Sequence, residues 1–304
     1  MATVTYLINC SALGDAVCCI PATKALIAEN KLYKVLIPEK FCEVFELCDV
    51  DPAFIVPTNR EVEMKFDLNG STLVTAYEAR RAPYRIHLVD MFSVFCMNAI
   101  LKPEEKCIRA NIKKLPSVDL KKPFIVVGVG YAEESRKMPV NAFKDIVAYG
   151  KKTGIDIVLL GAPRRQQSKN PIKFDEYPKE DCTDLIGKTS IKESVAIMNE
   201  AACVVGVDSG LIYLASLTDT PIVCGYTFVD PHYRIPYRRR VMGWRFYPVE
   251  PRATCKYCSN GLVMFGVPFD NSCPYGKDYE CATSLHGKDF IRAIKRAIWA
   301  RSKP

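Results

Sequence analysis

The sequence predicts an α/β protein built on parallel sheets, and three observations carry that prediction. Runs such as Phe124-Ile125-Val126-Val127 and Cys203-Val204-Val205-Gly206-Val207 are apolar throughout, as strands buried on both faces must be. Between such runs lie segments with apolar residues at helical spacing, Ile191, Val195, Ile197 and Met198 among them. This alternation stands on both sides of a polar stretch at 107–123 that carries two prolines. A chain of 304 residues therefore divides into two units of ordinary domain size.

Taken in order, residues 4–8 are β-rich and end at Asn9-Cys10-Ser11. Leu13-Gly14-Asp15-Ala16-Val17 then forms a turn into a helix over 22–29. Residues 34–38 read as a second strand and 39–48 as a helix, which continues the βαβ rhythm. The stretch 51–70 is irregular and 71–77 is a further strand. After the linker, 124–130 is a strand ending in glycine, 140–151 a helix and 155–160 a strand. Thr189 or Ser190 caps the next helix with Glu193 close behind. Residues 202–207 form a buried strand, Asp208-Ser209-Gly210 a turn, and 211–217 a helix. A strand follows and then an aromatic-rich loop. Phe290, Ile291, Ile294, Ala297 and Ile298 share one face of a final amphipathic helix.

Composition narrows the function. With 49% hydrophobic and 25% charged residues the chain is globular. No run approaches the roughly 18 apolar residues of a membrane span, and residues 1–10 lack a basic leader segment, so a cytoplasmic location is expected. The net charge is +8, with Arg234, Arg238, Arg239, Arg240, Arg245, Arg252 and Lys256 crowded among Tyr233, Tyr237, Trp244, Phe246 and Tyr247. Such a segment suits a phosphorylated glycolipid, a nucleic acid or a nucleotide, or is simply a solvated basic loop. Of fourteen cysteines, Cys10, Cys18, Cys19, Cys203 and Cys224 lie in apolar context as small hydrophobes. Cys255, Cys258, Cys273 and Cys281 form a cluster that fits a structural zinc, reduced packing thiols or occasional disulfides.

A buried strand ending in Asp208-Ser209-Gly210 and turning into a helix gathers backbone N–H groups, a hydroxyl and a carboxylate at one helix N-terminus. That combination holds anionic or sugar-phosphate ligands, or makes a well-capped turn. Gly14 allows close approach of the backbone to a ligand.

Four linked motifs extend this reading: Leu185-Ile186-Gly187-Lys188-Thr189-Ser190; the run from Val204 to Ala215; Thr220-Pro221-Ile222-Val223; and Val229-Asp230-Pro231 with Pro236-Tyr237. Together with Gly14-Asp15-Ala16-Val17 and Pro21 to Leu26, they resemble the heptosyltransferases of glycosyltransferase family 9, and residues 86–101 resemble that family's H-x-x-D helix, which His87 would cap or line. The resemblance implies two Rossmann-like domains facing across a cleft (the GT-B arrangement), with an acceptor domain over 1–118 and a donor domain over 119–285. A C-terminal helix over 286–304 would pack back on the first domain. It implies an inverting transferase that needs no cofactor for catalysis and uses an ADP-heptose-like nucleotide-sugar donor. The acceptor would be a hydroxyl of a lipopolysaccharide-type or other phosphorylated surface glycan. Asp15 would be the catalytic base. Gly14, Arg136, Lys137, Thr189, Asp208, Ser209, Gly210 and Tyr213 would hold the donor, and Arg234 and Arg238 would belong to a basic loop at the acceptor.

The sequence also departs from the family pattern. Tyr213 stands where the family usually has His, Arg136 replaces a Lys, and Met138 replaces a Trp. The loop after Gly161 lacks, until Asp175, the carboxylate with which ADP-heptose users contact ribose. The short first domain and the basic segment leave a hydroxymethylated base of phage DNA as an alternative acceptor. A non-catalytic zinc-bearing nucleic-acid-binding protein is a second alternative.

Overall fold

The computed structural model describes residues 5–10, 12–58, 72–75, 86–130, 134–162, 176–258, 273 and 275–302. The loop at 163–175, with its missing carboxylate, lies outside the described residues.

The first half holds a parallel sheet of β1 (Tyr6–Asn9), β2 (Leu32–Pro38), β3 (Ile55–Thr58) and β4 (Thr72–Thr75), in the order β3-β2-β1-β4. β3 lies within the stretch that periodicity left irregular. It is four residues long and contains Pro57, which a strand at the sheet edge tolerates because one side forms no ladder. Helix α1 (Leu13–Ala28) starts well before the expected position and runs through Pro21. Ala16, Val17, Cys18, Cys19, Ile20 and Ala22 are all buried there, and that burial outweighs the roughly 3 kcal/mol cost of an interior proline. Gly14 and Asp15 therefore sit in the first helical turn. Short helices α2 (Cys42–Leu47), α3 (Met91–Met97) and α4 (Pro103–Lys106) complete this half.

The second half holds six parallel strands: β5 (Phe124–Val127), β6 (Asp156–Leu159), β7 (Thr183–Asp184), β8 (Cys203–Val207), β9 (Ile222–Gly225) and, past a small hairpin of β10 (Tyr237–Arg238) and β11 (Val241–Met242), β12 (Phe246–Val249). Their order is β12-β9-β8-β5-β6-β7, so the chain winds one way from β5 and then the other way from β8. β12 occupies part of the segment expected to be loop, where Phe246 and Val249 bury against the sheet. Successive side chains of β5 face opposite ways. Ile125 and Val127 pack with Phe143 and Ile146 of α5 (Val140–Thr153). Phe124 and Val126 join Val195 and Met198 of α6 (Ile191–Glu200) and Ile212 of α7 (Gly210–Ser216). Ser190 caps α6 in a reciprocal box with Glu193, as its sequence predicts.

The final helix, α9 (Gly287–Arg301), follows the single turn α8 (Glu280–Thr283). Its expected docking on the first domain is corrected by the structure. Phe290, Ile294 and Ala297 pack against β5, β9 and α5 of the second half, and Arg301 donates to Asn199 O at 2.6 Å in that same half. The apolar stripe of α9 completes the layer that α5 alone leaves open.

Candidate functional site

In open parallel sheets the strand order reverses at a switch point, and ligands bind outside the strand C-termini there. The second sheet reverses between β5 and β8, and the first between β1 and β4. The helices that leave these two points, α7 and α1, meet at their N-terminal turns. A Cβ on Gly210 would lie 3.3 Å from Gly14 N and 3.0 Å from Leu13 Cβ; one on Gly14 would lie 3.2 Å from the Tyr213 ring. A side chain at either position would press on its neighbour, so glycine favours this approach at both. The fold thus brings the two glycine-containing motifs, some 200 residues apart, into one contact.

Two acids lie at this junction, Asp15 at 6% and Asp208 at 4% exposure. The Oδ2 atom of Asp208 is buried and has no hydrogen-bond partner among the described residues, the state expected of a group that awaits a ligand. Ser209 is the N-cap of α7, yet its hydroxyl makes no capping bond. Tyr213 is buried beside Asp208; burial first, and then that charge, raise its phenol well above the usual range. It is a neutral donor at physiological pH, and its hydroxyl donates to Arg234 O at 3.4 Å.

Arg234 belongs to the loop after β9. Asp230 caps a single turn, Pro231–Tyr233, by accepting His232 N–H at 2.8 Å, and the next residues fold back on Pro231 O. Opposite, His87 Nδ1 accepts Val89 N–H and its Nε2 lies 2.8 Å from Ile235 O. This arrangement fixes the neutral tautomer with a proton on Nε2. Burial pushes the His87 pKa down to about 4. His87 is thus a structural cap and clasp, as its sequence position suggests. Burial would lower the Arg234 guanidinium, but Asp208, then Tyr213 and Asp15, outweigh it and hold it above its ordinary value.

Other expected site residues fall into different surroundings. Arg136 stacks 5.0 Å over the Phe228 ring, beside the contact in which Thr227 hydroxyl donates to Ser135 O. Lys137 is paired with Glu176 at 2.5 Å, which weakens its claim as a free cation for diphosphate. Thr189 Oγ1 shares a 2.8 Å hydrogen bond with Ser194 Oγ. Arg238 is corrected. It is 3% exposed, and its guanidinium donates to the carbonyl oxygens of Ala215, Ser216, Thr218, Thr220 and Trp244. It caps the C-terminal end of α7 from inside and cannot face an acceptor. Phe228 and Glu176 were missed by sequence reasoning, since neither stands in a motif or at a periodic position.

The four clustered cysteines act on one another. Burial first, then Cys258, Cys255 and Cys273, push the Cys281 thiol up to about 11. Burial would also raise Cys273, but N–H groups of Tyr279, Lys277 and Tyr275 outweigh it and hold that thiol below its usual value. Sulfur ringed by backbone N–H groups is suited to thiolate. Among the described residues, however, no group of three or more His, Cys, Asp or Glu side chains is arranged to hold a metal ion.

Comparison with known proteins bears on the family and the fold. Residues 99–260 match the family model for glycosyltransferase family 9 (heptosyltransferase). The lipopolysaccharide core heptosyltransferase OpsX of Haemophilus influenzae is 20% identical over 221 residues, 71% of this chain. That match spans 59% of the Haemophilus protein's length. The iron-containing dodecameric glycosyltransferase TibC of enterotoxigenic E. coli superposes with a TM-score of 0.73 at 16% identity, covering 99% of this chain and 77% of TibC. TibC is also known in complex with ADP-D-β-D-heptose. E. coli heptosyltransferase WaaC with ADP gives a TM-score of 0.58 at 12% identity over 96% of this chain and all of WaaC. These likenesses extend the GT-B fold to the whole chain, and the family model covers more than half of it. The chain belongs to glycosyltransferase family 9.

Proposed function

We propose that the protein is an inverting glycosyltransferase that moves a sugar from an ADP-heptose-like donor to a hydroxyl of a lipopolysaccharide-type or other surface glycan. The observation that carries this reading is the meeting of Asp15 and Asp208, both buried, at the joined N-termini of α1 and α7. In this reading Asp15 takes the proton of the acceptor hydroxyl while that oxygen bonds to the anomeric carbon. The bond from that carbon to the diphosphate breaks on the opposite face, and its electron pair leaves with the nucleotide. Asp208 Oδ2 accepts a hydrogen bond from the donor sugar. Arg136 and the N–H groups at Ser209 and Gly210 offset charge on the departing diphosphate. The ADP-bound relatives support an adenine nucleotide donor.

A glycan acceptor is favoured over DNA by where the basic segment directs its charge. Arg239 and Arg245 stack on Trp244, Arg252 pairs with Asp289, and Arg238 is interior. No helix among the described residues is long and apolar enough to cross a membrane. Cys255, Cys258, Cys273 and Cys281 influence one another, but the described residues do not arrange them as a metal site, so this reading assigns them no metal. They take no part in transfer.

The test is Asp15→Asn assayed with ADP-heptose and a heptose-free core acceptor. Loss of general-base catalysis is expected to lower turnover about 10²–10⁴-fold. The rise in melting temperature caused by donor should persist. Turnover close to wild type would refute the assignment.

A further inference from the structure

The segment 234–238 is strung between the two halves of the molecule, with anchors on each. Arg234 O accepts the Tyr213 hydroxyl of α7, and the Tyr213 ring lies 3.2 Å from where Gly14, the neighbour of Asp15, would carry a Cβ. Ile235 O accepts Nε2–H of His87 at 2.8 Å, from the first half. The Tyr237 ring meets His87 edge-on at 5.2 Å and the Lys106 ammonium at 4.9 Å, both again from the first half. Arg238 returns to the second half, where it donates to carbonyl oxygens at the end of α7. Asp230 caps the entry, Pro231 O accepts the N–H groups of Arg234 and Ile235, and Pro236 O accepts Gly243 N–H. These bonds make the segment a folded strap across the seam.

The first-half anchor is a buried polar cradle. Asp90 accepts the Lys106 ammonium on Oδ2 at 2.5 Å and Leu101 N–H on Oδ1 at 3.0 Å, while His87 Nδ1 accepts Val89 N–H. A buried ion pair contributes little net stability of its own, and this one presents its ammonium to the Tyr237 ring of the other half. Leu88 and Val89 join the apolar cluster that holds Ala16, Val17 and Ile20, so the cradle is fixed to the helix that carries Asp15. We propose that the strap, residues 230–237, covers the transfer junction and lifts to admit ligands, and that His87, backed by the Asp90–Lys106 pair, is the positioning residue that holds it down. The proposal rests on the reading of Asp15 and Asp208 given above, whose burial requires some such movement before a donor or acceptor reaches them. His87 touches no reacting atom; it acts through the strap. A weaker latch lowers the closed fraction, and apparent affinity falls with that fraction while the closed complex itself is unchanged. One hydrogen bond to a carbonyl sets the scale of this effect at about fivefold.

Three variants test this by two independent readouts. His87→Phe keeps a flat ring against Tyr237 and removes the donor, whereas His87→Gln keeps an N–H for the Ile235 carbonyl. Tyr237→Leu leaves the cradle whole and removes the ring that it holds. Hydrogen exchange of the free protein, read by mass spectrometry, requires no activity. The amides of 231–243 are expected to exchange about fivefold faster in His87→Phe and in Tyr237→Leu, with those of β8 unchanged and His87→Gln close to wild type. Wild-type exchange of 231–243 in either variant, or acceleration that β8 shares equally, would overturn the proposal. Steady-state kinetics with ADP-heptose give the second readout. The donor KM should rise about fivefold in both variants, kcat should stay within about twofold, and His87→Gln should restore KM. A fall in kcat at unchanged KM, or no rescue by His87→Gln, would overturn the positioning role. Absence of transfer by the wild-type protein would instead sink the functional reading, while the exchange comparison would still report the latch.

Discussion

Arg234 and Arg238 are four positions apart, carry the same charge and lie in the same aromatic-rich segment, yet they do unrelated work. The guanidinium of one is held above its ordinary value, against burial, by Asp208, Tyr213 and Asp15; the other turns inward and donates to five carbonyl oxygens, four of them between Ala215 and Thr220. Ser216 O and Thr218 O lie at or just past the end of α7, where no further helical turn supplies donors, so the guanidinium satisfies them. Arg238→Met keeps an unbranched apolar stem of about the length of the arginine stem to Nε and removes every donor. It is expected to cost about 3 kcal/mol of stability, read from urea unfolding, with little change in donor KM. A stability within about 0.5 kcal/mol of wild type would contradict the capping role. The sequence could not separate the two arginines, because spacing says nothing about which way a side chain points in an irregular segment. It did single out Asp15, next to Gly14, and Asp208, two residues from Gly210, because each stands at the junction of an apolar run and a helix. The pairing of Lys137 with Glu176 was hidden for a simpler reason: the partners are 39 residues apart and join no periodic pattern.

At the scale of elements, central strands and two-turn helices were legible and edges were not. β5 and β8 announce themselves because both faces are covered and every residue must be apolar. β12 is half-covered, carries Pro248, and reads as loop until β9 is beside it. The start of α1 was missed because Pro21 reads as a helix start, whereas tertiary burial carries the helix through it. The cysteine-bearing elements show the same limit. Spacing suggested four ligands; the structure sets Cys281 at α8 in the field of the other three, and Tyr257 N–H donates to Thr227 O at 3.0 Å, tying this region to the loop after β9. If the region holds a structural metal, purified protein should contain about one zinc or iron atom per chain. Cys255→Ser/Cys258→Ser should abolish metal binding and lower Tm. Metal-free wild-type protein with an unchanged Tm would exclude the metal and leave the cluster as packing thiols.

At the scale of the whole molecule, two sheets predict two domains, but the apolar interior is not divided that way. One cluster runs from Ile8, Val35 and Ile37 of the first sheet through Ala16 and Ile20 of α1 to Ile212, Val126, Val204 and Ile222 of the second half. Polar contacts follow the same seam. Ala110 N–H donates to Leu217 O at 2.9 Å, Lys192 N–H of α6 donates to the Glu43 carboxylate of α2 at 2.9 Å, and the Lys192 ammonium pairs with Glu46 of α2 at 2.7 Å. The glycine contact between α1 and α7 lies in the middle of it. Separate unfolding of one half would expose this shared surface, at about 25 cal/mol for each Å² of apolar area, and would strand the buried acids of the junction. The two halves are therefore expected to melt together despite the length of the chain. Both tryptophans, Trp244 and Trp299, belong to the second half, so their fluorescence reports that half, whereas far-ultraviolet circular dichroism reports both. Urea transitions followed by the two signals should coincide, and saturating donor at about 100 times its Kd should raise both by about 2.7 kcal/mol. A fluorescence transition displaced from the dichroism transition, with donor moving only the former, would show that the seam is a docking surface between independently stable units. The common core would then contribute to orientation rather than to a single folded state.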